Sequence, residues 1–310
     1  IPVGIVASIL AWTYVSDVEG AKKPKKIDWW GIIFLVVAVG SLQYVLEEGT
    51  SKDWFESLEI TILSLMSVLG LVAFIYRELK IDYPAVNIRL YKNYNLAMGS
   101  IMNFMLGMLL FGTVFIFPLF VQISLGWTPT QTGVFMIPSA MCTAISMPIV
   151  GKMLGNGKNP KTIIIIGILI TFGFLLMMSF SSPESSQNDF YFPFVLRGVG
   201  LAFMMSPILS LAVAGLRGKD MAQAIGLANM VRQLGGAVGI ALLNVFIIQK
   251  NAAVRGDMLS YITDYASASS ERIAAFTQLF IAKGLAAVDA EALAYRMMEA
   301  TLFKQSSLVS

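Results

Sequence analysis

The sequence predicts an all-α integral membrane protein, a bundle of about eight transmembrane helices. Three observations carry this. Hydrophobic residues make up 56% of the 310 positions and charged residues only 13%, about half the charge of an ordinary soluble chain. Mean hydropathy is +0.73. From Asn93 to Gly151 there is no Asp, Glu, Lys or Arg, a run of 59 residues. A chain so poor in ionisable groups cannot cover its own surface against water.

A membrane helix needs about 20 mostly apolar residues. Eight segments qualify: 1–16, 29–46, 58–76, 96–121, 130–151, 162–181, 191–216 and 222–248. Residue 1 falls inside the first of them. No initiator Met, charged n-region or small-residue cleavage site precedes it, so it does not read as a signal peptide, and the chain is expected to be part of a longer one. The uncharged run is broken only at Leu125-Gly126-Trp127-Thr128-Pro129, where Gly and Pro predict a tight turn between two helices. Trp29, Trp30 and Trp127 fall at predicted interfaces, where aromatic belts form.

Orientation follows from Lys and Arg. If the loop 17–28 is cytoplasmic and the spans alternate, the loops on that side hold 13 basic residues: four between Lys22 and Lys26, four between Arg77 and Lys92, three between Lys152 and Lys161, then Arg217 and Lys219. The short loops on the other side, 47–57, 122–129 and 182–190, hold only Lys52. That asymmetry is a positive-inside signal. Residues 250–310 then emerge outside. Within them 271–283 places Ile273, Phe276 and Phe280 on one helical face with Gly284 as a stop, and Asp289 is placed to cap a second helix carrying Leu293, Met297 and Ala300. Such a pair serves either as a hairpin packed on its own bundle or as a surface for the bilayer or a partner.

Composition also removes chemistries. Histidine is absent, which excludes His-rich zinc sites, a haem on an axial His and Ser-His-Asp catalysis. The single Cys142 cannot form an internal disulfide. A net charge of +3, spread over short loops, gives no footprint for nucleic acid. No cofactor or metal is expected, and the composition points away from an enzyme.

Polar residues inside spans are therefore the informative ones, because an arginine at helix centre costs about 2.5–3.5 kcal/mol on insertion scales. Arg232 lies ten residues into the last span, about 15 Å along its axis, near the midplane. Arg197 is about two turns from the outer end of its span, within reach of the interface by snorkelling. Each reads either as a site for an anionic group or as a tether to backbone carbonyls. Asn229 and Gln233 share one face of the last span, while Gly235 and Gly239, with Gly236, form a small-xxx-small packing face. The fourth span repeats the design with Gly99, Asn103, Gly107 and Phe111 at intervals of four, flanked by Phe104 and Met108, and ends at Gln122 after Pro118. Met and Phe on such a stripe suit a pliable apolar site or ordinary packing. Pro118, Pro138, Pro148 and Pro207 predict kinks. No deeply placed Asp or Glu is apparent in any span.

These residues resemble a family. The opening Ile1-Pro2-Val3-Gly4, Asp28-Trp-Trp-Gly31, the stretch Phe117-Pro118-Leu119-Phe120-Val121-Gln122 through Gly126-Trp127-Thr128-Pro129 with Gly133 and Pro138, and Asn229-x-x-Arg232-Gln233-x-Gly235-Gly236-x-x-Gly239 are similar, in order and spacing, to the C-terminal part of fourteen-span drug:proton antiporters of the EmrB/QacA type, in the major facilitator superfamily. Pro148-x-x-Gly151-Lys152 starts like that superfamily's cytoplasmic loop signature, but Gly155 and Asn156 stand where Asp and Arg belong.

The resemblance implies four parts. Residues 1–16 would be the last helix of the N-terminal half and 17–95 two linking helices with their loops. Residues 96–249 would be five helices of the C-terminal half, and 250–310 an extracytoplasmic loop before a last helix. It implies efflux of small amphipathic compounds, exchanged for protons across the bacterial inner membrane by alternating access. The path would be lined by Arg232, Gln233, Asn229, Asn103, Phe104, Met108, Phe111, Gln122 and Arg197. Gly235, Gly236, Gly239, Gly99, Gly107, Pro118, Pro148 and Gly151 would serve packing and gating. Proton-coupling carboxylates would lie upstream. Some members of the family work with a periplasmic adaptor and an outer-membrane channel and others alone. A same-fold exporter of one metabolite, lipid or siderophore is the alternative; a membrane sensor, enzyme or channel is more remote.

Overall fold

The computed structural model describes residues 2–14, 28–81, 86–182, 184–260, 267–282, 289–290 and 293–297. Among them the regular structure is helical: α1 (Pro2–Tyr14), α2 (Trp29–Glu48), α3 (Leu58–Lys80), α4 (Tyr94–Ser124), α5 (Pro129–Gly155), α6 (Pro160–Ser179), α7 (Gln187–Ala212), α8 (Gly218–Ser260) and α9 (Ser267–Ala282). Short 3-10 turns precede α3 and α4. α2 through α8 are seven helices long and apolar enough to cross a membrane, and the chain is a multi-pass membrane protein. The expected eighth span is α1, described over 13 residues. The lysine-rich loop before Asp28, the Gly284 stop and most of the second outer helix lie outside the described residues.

The predicted turn is present. Gly126 adopts φ +69°, which a side chain would oppose, and Pro129 opens α5 at the position where its missing N–H costs nothing. Thr128 and Gln131 cap each other's backbone N–H groups. Pro118, Pro138, Pro148, Pro193 and Pro207 all sit inside continuous helices. The helix bounds agree with the expected ones to within four residues, except at the end of α8. There the helix runs past Ile248 to Ser260. Residues 249–260 hold no Pro and one Gly, so nothing stops the backbone ladder where hydropathy ends.

α7 is the most enclosed helix, packed against α4, α5 and α6; α8 lies along α4, and α2 pairs with α3 and touches α8. An aromatic core of Phe117, Phe135, Phe174, Phe190 and Phe194, closed by Trp127, fills the space between α4, α5, α6 and α7. Phe117 and Phe194 are 4.2 Å apart between ring centroids. Such pairs contribute about 0.5–1.5 kcal/mol each beyond area. The outward faces are also apolar, as lipid requires: Leu65, Leu69, Val72, Met105, Ile145 and Leu169 are all exposed.

The α2–α3 pair is fixed differently. Gly70 packs on Ala38, and the Ser67 hydroxyl donates to the Ala38 carbonyl at 3.0 Å. Asp28 caps α2 by accepting from the Gly31 N–H at 3.1 Å and takes an ion pair from Arg77 Nη2 at 2.8 Å. Glu78, 1% exposed, also faces this cap and accepts from the Val86 N–H at 3.3 Å. A Cβ at Gly31 would stand 2.6 Å from Asp28 Oδ2 and 2.9 Å from Glu78 Oε1, so the Asp-x-x-Gly pattern has a steric reason. Glu78 lies just past the expected end of the third span and is nonetheless buried.

Candidate functional site

The residues singled out from the sequence fall into two places. The first is the crossing of α4 and α8, near the middle of α4. Here glycines let the backbones touch. A Cβ on Gly107 would collide with the Arg232 carbonyl, one on Gly235 with the Phe104 carbonyl and one on Gly236 with the Phe111 ring. A Cβ on Gly239 would stand 2.8 Å from Met108 Cα. The small-residue face of α8 therefore meets the fourth span, and Phe104, Met108 and Phe111 lie half-buried against it. Gly99 instead faces α7, where a Cβ would be 2.5 Å from Ala212 Cβ.

Around this crossing the polar side chains differ. Asn103 is 1% exposed and donates to the Gly99 carbonyl of its own helix at 2.9 Å. Arg232 and Asn229 are half-buried, and Gln233 is exposed. No ion pair reaches Arg232 among the described residues. Gln122 is exposed, 15 residues further along α4 and so about 22 Å away along the axis. Pro148 and Gly151 are exposed on α5 and belong to neither place.

The second place is Arg197 on α7. It does not snorkel. Only 6% exposed, it donates from Nε to Thr113 Oγ1 on α4 at 3.0 Å and from Nη1 to Ser139 Oγ on α5 at 3.2 Å. Its guanidinium carbon lies 5.7 Å from the Phe194 ring centre. The reason is the α5–α7 contact: a Cβ on Gly198 would collide with the Ser139 carbonyl, so α5 lies against the root of the arginine. Thr143 on α5 donates to the Gly198 carbonyl at 3.0 Å and holds that register. Two hydroxyls therefore reach the guanidinium before any headgroup can. No carboxylate pairs with it among the described residues.

Thr113 also borders a cavity of about 340 Å³ between α4 and α6, walled mainly by Phe117, Phe120, Phe174 and Met178. Thr113 lies six residues along α4 from Gly107, about 9 Å. Sequence reasoning missed Thr113 and Ser139. The available signal was their hydroxyls within the long uncharged run. No group of three or more potential metal ligands occurs among the described residues.

This arrangement is a helix bundle with close glycine crossings and arginines within its apolar helices. The profile of the Major Facilitator Superfamily matches residues 1–240. The chain belongs to that superfamily. It is 28% identical to the fatty acid resistance protein FarB of Neisseria gonorrhoeae over 293 residues, 92% of this chain and 56% of the relative. It is 27% identical to the multidrug export protein EmrB of Haemophilus influenzae over 266 residues, 86% of this chain and 52% of the relative. With the colistin resistance protein EmrB of Acinetobacter baumannii it shares 29% identity over 220 residues, 71% and 43% respectively. This superfamily chain thus resembles EmrB-type exporters and spans about half the length of the relatives it matches.

Proposed function

We propose that this chain is the C-terminal part of a secondary exporter that moves small amphipathic compounds out across the bacterial inner membrane in exchange for protons. The observation that carries the reading is the α4–α8 crossing. What supports it is Arg232, whose carbonyl lies against Gly107 near the middle of α4 and whose side chain pairs with no carboxylate among the described residues. An intramembrane cation without a structural partner is a functional candidate by default. Similarity to proteins named for multidrug export adds the transport class. In this reading 1–16 ends the N-terminal half, 17–95 links the halves, 96–249 belongs to the moving C-terminal half, and 250–310 faces the periplasm, where an adaptor would dock. Proton-coupling carboxylates lie in the part of the relatives that this chain does not span.

A second reading, export of a single lipid-like class, draws on the FarB similarity and on the apolar cavity beside Thr113. One experiment addresses both. In the full-length protein, Arg232→Ala is expected to abolish resistance to amphipathic drugs while membrane insertion and folding are retained. Wild-type efflux by this variant would overturn the assignment of Arg232. A wild-type profile confined to fatty acids would favour the second reading.

A further inference from the structure

Away from both arginine sites, the ends of α2 and α3 form an open groove of about 470 Å³ lined by Phe34, Ala73, Tyr76, Arg77, Lys80 and Ile81. Its depth in the membrane is set by aromatic residues. Trp29 and Trp30 at the start of α2 and Tyr76 in the last turns of α3 are all exposed at this one end of the pair, where aromatic rings mark headgroup level. The ring centres of Trp30 and Phe34 lie 6.1 Å apart, so an aromatic wall leads from the interface into the groove.

The charges here are sorted by depth. Both acids are buried, Asp28 with 1% of its side chain exposed and Glu78 with 1% of its residue. The cations lie further out: the Arg77 side chain is 34% exposed although its Nε and Nη2 are turned to Asp28, and Lys80 is exposed with its ammonium 4.4 Å from the Tyr76 ring centre and donating to the Tyr76 hydroxyl. Arg89 reaches back to the same helix end, donating to the Leu79 carbonyl at 2.6 Å. A ligand entering from the headgroup layer therefore meets cations first, over an apolar floor of Phe34 and Ala73. The basic loops mark this end as the cytoplasmic one.

We propose that this groove binds the headgroup of an anionic phospholipid of the cytoplasmic leaflet. Lys80 and Arg77 contact the phosphate, and an acyl chain runs along Phe34 and Ala73. Commitment to a lipid over free phosphate follows from the apolar floor, which a free ion would not use. Basic pockets between transmembrane helices on the cytoplasmic side hold such headgroups by combining charge with a hydrocarbon wall. Arg77 also anchors the α2 cap, so a lipid seated here would fasten α3 to α2 at their inner ends.

The test is a titration of the purified protein in detergent with phosphatidylglycerol, followed by native mass spectrometry, with phosphatidylcholine and inorganic phosphate in parallel. Phosphatidylglycerol is expected to bind, phosphatidylcholine more weakly, and phosphate not to compete. Lys80→Gln should weaken phosphatidylglycerol about fivefold, the share of one basic residue near an anionic headgroup. Lys158→Gln removes an equivalent charge from a loop on the same side and should leave binding unchanged. Ala73→Trp fills the groove without altering any charge and should abolish retention. Unchanged binding in either groove variant, an equal loss in Lys158→Gln, equal binding of phosphatidylcholine, or displacement by phosphate would each overturn the proposal.

Discussion

Two helix pairs in this molecule are held together by opposite means. α4 and α8 meet near the middle of α4 through glycines, Gly107, Gly235 and Gly239 against backbone and Gly236 against the Phe111 ring. α2 and α3 touch through Gly70 and Ala38 but are closed at both ends by charge: Asp28 with Arg77 at one end, Lys52 with Glu59 and the Tyr44 hydroxyl at the other. The difference follows from the surrounding medium. Between lipid tails there is no hydrophobic force between helices, so close packing carries association. At the helix ends ion pairs set the register: the Lys52–Glu59 pair stays exposed to solvent, and the desolvation of buried Asp28 is offset by Arg77. Arg197 fits neither rule, being a buried charge that donates to two hydroxyls and meets no carboxylate among the described residues.

The largest expected effect comes from adding one methyl group at the crossing. Gly107→Ala drives a Cβ into the Arg232 carbonyl, backbone against backbone, where neither side can rotate away. Overpacking of this kind costs about 1–3 kcal/mol. Gly133→Ala on α5, where a Cβ meets nothing within 4 Å, is the matched control. Thermal unfolding in detergent should separate the two. Equal stability would mean that α8 slides along α4 freely, and the contrast between the pairs would fail.

A smaller, pH-dependent effect belongs to the α2–α3 end. The hydrogen bond from Arg77 holds the Asp28 carboxyl below its ordinary value, more than burial raises it. A carboxyl with a depressed pKa stabilises the folded state fully above its unfolded value of about 3.9. That contribution disappears as pH falls through the lower, folded value. Asp28→Asn should therefore lower the melting temperature at pH 7 and leave a flatter acid limb, with the two proteins converging at the lowest pH. An undiminished difference at low pH would assign the effect to how the amide packs beside Gly31 and Glu78 and not to the ion pair, since Asn still caps the Gly31 N–H.

How much of this was legible beforehand differs by region. Hydropathy placed the seven long helices because lipid demands apolar side chains wherever the backbone crosses. The glycine spacing reads as a close-packing face, but it does not say which helix meets it: Gly107 of the α4 stripe turns to α8 and Gly99 to α7. The end of α8 was not legible, since a helix leaving the membrane needs no apolar residues to continue. The surroundings of Arg197 were not legible either: its partners Thr113 and Ser139 lie 84 and 58 residues away in sequence. No periodicity within one helix reports which hydroxyl a neighbouring helix will present. Glu78 was hidden by position, because a last-turn glutamate looks solvated until the following segment folds back over it.

The smallest expected change in stability, and the most informative, is Arg197→Met. A buried charge without a carboxylate partner is a weak contributor to folding, and replacing buried ionic groups by apolar ones of similar size is often neutral or stabilising. Methionine suits the site because its unbranched chain follows the space left by the arginine stem beside Phe194. The remaining hydrogen bonds survive: Thr113 still donates to the Leu109 and Leu110 carbonyls, and Thr143 still donates to Gly198. Thr113 Oγ1 and Ser139 Oγ both lose their guanidinium donor, and Thr113 keeps the hydrogen bonds it donates itself. Unfolding of the variant is therefore expected within about 1 kcal/mol of the parent, or above it. A loss of several kcal/mol would make the arginine the keystone of α4, α5 and α7, and buried polar contacts would then hold helices in mid-membrane as firmly as glycine crossings do. A stable variant that fails to export from the full-length protein would assign the charge to transport, because nothing in the fold would then require it.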